Sequence, residues 1–377
     1  MKYTTLIIFC LLLASCKHNN TNNDAQQLIL KVDLKPSTIS IHEIFDSIQV
    51  IPLETTDSCL LRGPVKVITG NNWNYILDWK NFQVFVFDDK GHYLHTIGKR
   101  GQGPGEYREV YDMIVDESKS QVKLLSPFGS LYTYDLEGNF IKQNQLPEKS
   151  NYQTMEIIGD NIMTWTIPIS CDEPCITIVN ADTGKEVNSL WKGPRILNSL
   201  PGGNFYTYDG KTYFAPAFHN NEILEITEDS LKLAYKWDFG KDNIEISKYD
   251  FTLTDDNQAE EGRLMTDYLK NGTIPYLLGS QYQNGKYFYV CFSYGWFPNQ
   301  TIKHLFYRKS DGKSFFFKDT QEDISIRPRA FEEKCIVQFA SYDDLEAYKS
   351  VLSPSEYQKI TSRNEEDNPC LMKLYFK

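Results

Sequence analysis

The glycines of residues 97–107 (Ile-Gly-Lys-Arg-Gly-Gln-Gly-Pro-Gly-Glu-Tyr) have the clearest potential for chemistry, because clustered backbone N–H groups can hold a phosphate. The spacing does not support a nucleotide site. Glu106 stands where a dinucleotide fingerprint has its third glycine, and no Gly-Lys-Ser/Thr follows. Strand-like runs flank the loop on both sides. The sequence therefore predicts a structural turn that links one small antiparallel sheet to the next.

Histidines and cysteines offer little for a metal site. No histidine pair has the helical spacing of a zinc protease, and His92 and His95 fall on opposite faces of one strand. Cys171 and Cys175 flank an Asp-Glu-Pro tripeptide, and a small-loop disulfide between them is an open alternative that we place ahead of a zinc pair. No second Cys/His pair with ligand spacing exists, so we predict no metal.

Nucleophilic and acid–base catalysis lack a recognisable pattern as well. No Gly-x-Ser-x-Gly elbow occurs, and most paired carboxylates belong to turns such as Asp88-Asp89 or to the charged run 365–367. We predict no cofactor. The formal net charge of −11, from 39 basic and 50 acidic residues, argues against nucleic acid as a partner, because phosphate backbones require a concentrated basic face.

The N-terminus has the features of an export signal. Residues 1–15 join a short charged region to an apolar run too short to span a bilayer, and they end in Leu13-Ala14-Ser15 before Cys16. This resembles a bacterial lipobox and predicts lipidation of Cys16, with an ordinary signal peptide and a chance cysteine as the alternative. Residues 16–30 are expected to be a flexible tether, because 17–27 are polar and lack aromatic residues.

A repeat organises the rest of the chain. Aromatic and β-branched runs lead into an Asp/Gly turn at Gly91, and the pattern recurs 47 residues later at Gly138 and 46 later at Gly184. A weaker copy ends at Ser230. The next copy lies 82 residues beyond it, so residues 242–272 form an insertion, which we expect to be helical.

Units of this length with several short strands indicate β-propeller blades. We predict an all-β fold over residues 31–377: a six-bladed β-propeller of four-stranded antiparallel blades, with a helical insertion between blades 4 and 5. The N- and C-terminal strands are expected to share the sixth blade and close the ring, which removes free sheet edges. A helical excursion over 342–360 interrupts that blade.

Three segments carry a family resemblance: residues 51–56 (Ile-Pro-Leu-Glu-Thr-Thr), the glycine-rich loop, and Asp367-Asn368-Pro369 before the last strand. Together they resemble the NHL-like, six-bladed β-propeller lipoproteins of Bacteroidetes. The resemblance implies the propeller fold and a place in the cell envelope. It supplies no catalytic signature.

Propeller topology brings two kinds of connection to one face, and several of these connections are aromatic. We expect that face to bind, and we expect the insertion to form a lid or wall over it, with Met265 and Tyr268 turned toward the propeller. The candidate binding residues are Trp79, Phe128, His219, Tyr294, Trp296 and Phe297.

The sequence therefore predicts a monomeric, lipid-anchored binding protein without chemistry of its own. Its partner would be a small molecule, a glycan, a peptide or an envelope protein. Because no acidic residue follows Cys16 in Lys17-His18-Asn19-Asn20, we expect the outer membrane with the propeller facing the periplasm. The alternative is a hydrolase or lyase acting on polysaccharide or peptide, which a metal or buried carboxylate pair at the axial channel would indicate.

Overall fold

The computed structural model describes residues 28–70, 72–149, 151–167, 173–191, 203–216, 221–245, 248, 258–296 and 298–377. Within these ranges the chain forms six sheets arranged as a six-bladed β-propeller, which confirms the predicted fold. Two strands, β1 (Leu28–Lys31) and β2 (Phe45–Pro52), precede the repeats. A short 3₁₀ turn over Ile41–Glu43 lies between them.

Blades 1 to 3 follow the chain, each from its innermost strand to its outermost. They consist of β3 (Pro64–Thr69), β4 (Trp73–Asp78), β5 (Gln83–Asp88) and β6 (Tyr93–Ile97); β7 (Asp112–Asp116), β8 (Gln121–Leu125), β9 (Ser130–Asp135) and β10 (Phe140–Gln145); and β11 (Tyr152–Ile158), β12 (Asn161–Thr166), β13 (Ile176–Asn180) and β14 (Glu186–Leu190).

Blades 4 to 6 complete the ring. They consist of β15 (Phe205–Tyr208), β16 (Lys211–Phe214), β17 (Glu222–Ile226) and β18 (Leu231–Asp238); β19 (Leu277–Gln283), β20 (Tyr287–Tyr294), β21 (Thr301–Arg308) and β22 (Ser314–Phe317); and β23 (Ala330–Phe331), β24 (Cys335–Ala340) and β25 (Cys370–Phe376) with β2.

In the first two blades, the geometry of the turn explains why the repeat has a glycine. Gly91 and Gly138 adopt φ of +93° and +87° in the turn between the third and fourth strands. A Cβ on Gly138 would lie 2.4 Å from the carbonyl oxygen of Thr96, in the outer strand of the preceding blade. The turn therefore packs directly on its neighbour. Blade 4 lacks this glycine, and there Asn188 of blade 3 reaches over and donates from Nδ2 to the Glu228 carbonyl at 2.8 Å.

Ring closure follows the prediction. The N-terminal strand β2 pairs antiparallel with β25, for example Val50 with Met372, and β25 pairs with β24. Blade 6 thus takes its outermost strand from the start of the chain and its other three from the end.

Residues 28–44 run along the outside of the ring, and we call them the N-terminal strap. β1 pairs in parallel with β18 and adds a fifth strand to blade 4. Farther on, Ser37 donates its backbone N–H to the Phe316 carbonyl of blade 5 at 2.6 Å. The strap begins at Leu28, three residues before the expected start of the propeller at 31, because Leu30 buries its side chain against blade 4 and extends the ordered sheet.

Helices occur in the connections. The insertion between blades 4 and 5 contains a 3₁₀ turn over Gly240–Asp242 and α1 (Gln258–Lys270), which confirms the predicted helix. Leu269 of α1 is buried against Ile274 and Leu277. The excursion between β24 and β25 holds a 3₁₀ turn over Tyr342–Asp344, α2 (Leu345–Tyr348) and α3 (Pro354–Gln358). Among the helices of the described ranges, none has the length and apolar character needed to cross a bilayer.

Candidate functional site

Two kinds of connection meet at one end of the ring, and we call this end the loop face. The connection from the second to the third strand of each blade emerges there, and so does the connection from one blade to the next. Residues 79–82, 98–111, 239–276, 318–329 and 341–369 include the described examples. The insertion and the helical excursion therefore both lie on the loop face.

Three predicted binding residues expose aromatic rings on this face. The side chains of Trp79, Phe128 and Trp296 are 47%, 70% and 37% exposed. The Trp79 ring contacts that of Tyr111, with centroids 5.7 Å apart, so connections from blades 1 and 2 meet there. Exposed rings with polar surroundings can stack on sugars or hold peptide side chains.

Tyr294 has a different, structural role. It is half-buried, its ring centroid lies 5.6 Å from that of Tyr276, and the Lys303 Nζ lies 4.5 Å from the same ring. Burial raises the pKa of Tyr294 to about 12. Tyr294 thus supports the loop that presents Trp296. This loop begins at Gly295, which has a φ of +73°.

Several predicted residues lie outside the described ranges: Cys16, Cys171, His219 and Phe297. Lipidation, the disulfide and two of the binding residues therefore stay predictions. The other half of the proposed disulfide, Cys175, is buried beside the first residue of β13.

One cavity opens at blade 6 on the loop face, and we call it the blade 6 cavity. It measures about 510 Å³, and one wall is the connection 318–329 while the other is the helical excursion. Gln338 of β24 ties the two walls together. Its Nε2 donates to the Ser325 carbonyl at 3.0 Å and to the Tyr348 hydroxyl at 2.6 Å, and its Oε1 accepts from the Arg327 backbone N–H.

Charge in the blade 6 cavity is mostly negative. One cation, Arg327, faces five acids: Glu322, Asp323, Asp343, Asp344 and Glu346. Sequence reasoning did not assign a site here. The available signal was the length of the connection between the second and third strands of blade 6, which predicted helices but not a cavity.

A second cavity, about 160 Å³, lies on the ring axis, and we call it the axial cavity. It is lined by residues of the innermost strands. Lys66 of β3 forms an ion pair with Asp112 of β7, with Nζ and Oδ1 2.7 Å apart. Asp112 also accepts backbone N–H groups from Met113 at 2.9 Å and Met155 at 2.8 Å. Three donors therefore hold this buried carboxylate in place.

Glu156, Thr154 and Arg329 line the same cavity. Burial raises the pKa of Glu156, and the nearby charge of Lys66 opposes that rise. Burial also lowers the pKa of Arg329. The axial cavity thus combines two cations with two carboxyl groups whose surroundings differ. Asp112 is hydrogen-bonded three times, whereas within the described part of the chain Glu156 accepts one hydrogen bond, from the Ile157 backbone N–H at 3.0 Å.

The glycine-rich loop is a turn between blades 1 and 2, in agreement with the sequence analysis. The place that an anion would take is filled by the Glu106 carboxylate, whose Oε2 accepts the Gly103 N–H at 2.8 Å. Buried Tyr107 donates from its hydroxyl to the Ile97 carbonyl at 3.0 Å, and Tyr134 of the next blade donates to the Gly105 carbonyl at 2.9 Å. These bonds fasten the two blades together.

Histidines and metal ligands are dispersed. His92 contacts Asp88 at 2.8 Å, whereas His95 points elsewhere and contacts the Leu136 carbonyl at 2.9 Å. Burial lowers the pKa of His304 to about 3, so this imidazole is neutral and pairs with the Tyr289 hydroxyl at 2.9 Å. Over the described ranges, no group of three His, Cys, Asp or Glu side chains could hold a metal ion.

Comparison with known proteins identifies a family and a fold. The family model described as a domain of unknown function, DUF4934, matches residues 29–375. A crystal structure of a Bacteroides fragilis protein described as exported superposes with a TM-score of 0.74 at 17% identity, covering 93% of this chain and 99% of that one. A DUF4221 family member from Bacteroides vulgatus gives 0.55 at 12% identity, covering 88% and 97%. No curated protein matches the chain.

Proposed function

The chain belongs to the DUF4934 family, and we propose that it is a lipid-anchored cell-envelope propeller that binds a ligand or protein partner through its loop face. The observation that carries this proposal is the exposure of Trp79, Phe128 and Trp296 at one end of a rigid ring. Loops on a rigid scaffold are common carriers of recognition. Glycans and peptides are the ligand classes that such rings suit, because both offer flat apolar surfaces between polar groups.

The experiment compares Trp79→Ala and Trp296→Ala with Phe140→Ala, which removes an aromatic ring of similar exposure, 44%, from an outer strand. Binding would be measured by glycan and peptide arrays and by co-purification of envelope proteins. We expect the tryptophan variants to lose a partner that the wild type and the Phe140 variant retain. A partner whose affinity is the same for all four proteins would exclude the loop face.

For anchoring, the support is the lipobox before Cys16, and the proposed place is the outer membrane with the propeller facing the periplasm. A Cys16→Ser variant should move from the membrane fraction to the soluble fraction. Protease treatment of intact cells should spare the protein, and ready cleavage would show that it faces outward.

The insertion is proposed as a wall of the loop face. Its helix α1 is attached to blade 5 through buried Leu269, and Tyr268 packs beside it. Replacing residues 242–272 with a short Gly-Ser bridge should leave a folded ring with altered ligand binding. Loss of the cooperative thermal transition would mean that the segment belongs to the core.

A catalytic alternative is favoured by one observation, the presence of Asp112 and Glu156 in the axial cavity. Hydrolases and lyases can use two carboxyl groups whose pKa values are driven apart. The raised pKa of Glu156 suits a proton donor, while Asp112 is held by Lys66 and two backbone N–H groups. Turnover of a polysaccharide or peptide that Glu156→Gln abolishes would establish this alternative, and binding without turnover would exclude it.

A further inference from the structure

A third cavity lies between blades 1 and 2 at the end of the ring opposite the loop face, and we call it the interblade cavity. It measures about 210 Å³. Its walls are the turn before β4, the first half of β4, the end of β7 with the turn after it, and the turn after β9. Pockets for drug-sized molecules usually measure about 300 to 1,000 Å³, so the interblade cavity suits a small chemical group.

Two aromatic rings form one corner of the interblade cavity. Trp73 and Tyr75 stand two positions apart on β4, so their side chains lie on the same face of the strand. Their ring centroids are 6.1 Å apart, and their planes meet at 53°. His95 of β6 packs nearly perpendicular to the Trp73 ring, and its Nε2 contacts the Leu136 carbonyl of blade 2. The corner is therefore fixed by the fold, and the faces of such rings attract cations.

The hydroxyl of Tyr75 lacks a partner. Tyr75 is 3% exposed and lines the interblade cavity. Over the described ranges its hydroxyl forms no hydrogen bond, yet the oxygen keeps accessible surface, unlike the sealed Oγ1 atoms of Thr154 and Thr177. Buried polar groups are nearly always hydrogen-bonded, so Tyr75 indicates a partner that enters through the cavity.

Charge at the interblade cavity is negative. Glu117 lines it and extends toward blade 1, where its Oε1 would lie 3.3 Å from a Cβ on Gly70. In the described part of the chain, the carboxylates of Glu117 and Glu137 form no ion pair. Burial, with a contribution from the charges of these two acids, raises the pKa of Tyr75 to about 12. No lysine or arginine is among the described residues that line the cavity, so it favours a cation.

We propose that the interblade cavity binds a protonated primary amine, with the ammonium group against the Trp73 and Tyr75 rings and its N–H groups donating to the Tyr75 hydroxyl and the Glu117 carboxylate. A primary amine gives the Tyr75 oxygen a donor, which a quaternary ammonium lacks. Alkyl amines and lysine side chains share this chemistry. The interblade cavity lies away from the loop face, so the inference goes beyond the proposed partner binding.

The test titrates ligands into the full propeller at pH 7 by calorimetry. The amine probes are butylamine and Nα-acetyl-lysine amide, which are both protonated at this pH. Choline, 1-butanol and butyrate are the comparison probes, because they replace the primary ammonium with a quaternary ammonium, a neutral group and an anion. Both amines should bind, choline more weakly, and butanol and butyrate not measurably. Tighter binding of butylamine would identify a free amine as the ligand, and tighter binding of the lysine derivative would identify a lysine side chain.

Tyr75→Phe is the sharpest variant. It removes a hydroxyl that has no partner, so the free protein should be as stable as the wild type or more so. Affinity for butylamine should fall about 10-fold, because a hydrogen bond to a charged group is lost. Choline has no N–H to donate, so its affinity should stay unchanged. A general disturbance of the cavity would instead weaken both ligands.

Two further variants test the ring and the charge. Trp73→Leu keeps an apolar side chain without the aromatic face and should weaken both amines and choline about 3- to 30-fold. Glu117→Gln should weaken them about 2- to 5-fold, since this carboxylate is exposed. Asp160→Asn is the matched control: it removes the same charge from an exposed side chain in the corresponding turn of blade 3. Its amine affinity should equal that of the wild type.

Four results would overturn the assignment: no binding of either amine, butanol binding as tightly as butylamine, choline binding more tightly than both amines, or equal losses in the Glu117 and Asp160 variants. The tryptophan variants of the loop face, Trp79→Ala and Trp296→Ala, should bind amines normally. Failure of the loop-face proposal therefore leaves this inference standing, and the reverse also holds.

Discussion

Blades 4 to 6 and blades 1 to 3 differ at the rim of the ring. Along blades 4 to 6, which we call the strapped half, the start of the chain covers the outer edges. There β1 extends blade 4, Ser37 bonds to blade 5 and β2 completes blade 6. Along blades 1 to 3, which we call the bare half, the outer strands β6, β10 and β14 have no further strand beside them within the described structure. These bare strands carry the exposed side chains of Leu94, Phe140, Ile141 and Val187.

The cores of the two halves differ in the same way. One hydrophobic cluster joins the strap to blades 4, 5 and 6, whereas the blades of the other half meet in smaller clusters between neighbours. The blades of the bare half are thus held mainly by contacts with their neighbours in the ring, while the strapped half also depends on the N-terminal strap, a segment distant in sequence. Substitutions should therefore spread their effects more widely in the strapped half.

The greatest loss of stability should come from a substitution in the strap itself. Ile41 is 1% exposed within the large cluster, so Ile41→Ala should lower the free energy of unfolding by about 2 to 5 kcal/mol. The matched variant Ile141→Ala, at a residue 46% exposed on β10, should change it by less than about 0.5 kcal/mol. Urea unfolding measures both, and equal losses would contradict the importance of the strap.

The next effect concerns the link between the strap and the connection from blade 5 to blade 6. Glu322 accepts the Ser40 hydroxyl at 2.6 Å and the Ile41 backbone N–H at 3.0 Å. Glu322→Gln should cost about 1 to 3 kcal/mol, because hydrogen bonds to a charged group are lost. Stability unchanged at neutral pH would mean that these bonds hold nothing together.

The same residue gives a pH dependence. Burial on its own raises the pKa of Glu322, but the hydrogen bonds from Ser40 and Ile41 bring it below its ordinary value of 4.5. A carboxyl whose pKa is lowered by folding stabilises the protein above its unfolded pKa, and the contribution disappears as the pH falls through the folded value. The stability difference between wild type and Glu322→Gln should therefore be constant near neutrality and shrink below about pH 4.

A smaller effect is expected in the bare half. Asn188→Ala removes the bond to the Glu228 carbonyl that replaces the missing turn glycine between blades 3 and 4. We expect a loss of about 0.5 to 1.5 kcal/mol, measured by thermal unfolding. A loss as large as that of Ile41→Ala would show that blade contacts in the bare half are as cooperative as those under the strap.

The smallest effect concerns the bare edge. Val187→Lys places a charge on exposed β14 and should change stability by less than about 0.5 kcal/mol. It should also reduce self-association at high concentration, because charged edge strands resist pairing with other sheets. Light scattering checks this, and an unchanged concentration dependence would show that the edge is already protected.

Sequence determined most of the fold because the repeat is local. Each turn glycine and its flanking strands lie within one blade, and ring closure follows from strand patterns at the two ends. The strap was missed because β1 pairs with β18, some 200 residues away, and residues 33–40 show no periodicity. Aromatic connections indicated the loop face, but the axial cavity has no local signal, since its lining depends on which strands surround the axis.

The strap also determines how the molecule responds to mechanical load. A force on residues before Leu28 reaches the propeller first through β1, whose parallel pairing with Tyr235 to Asp238 is short and lies at the rim. Peeling the strap releases residues 32–44, roughly 45 Å of extended chain, before tension reaches β2 and the closure of the ring. Because Ile39, Ile41 and Ile44 of this segment are buried in the cluster that joins the strap to blades 4, 5 and 6, pulling the strap away exposes the core of those blades.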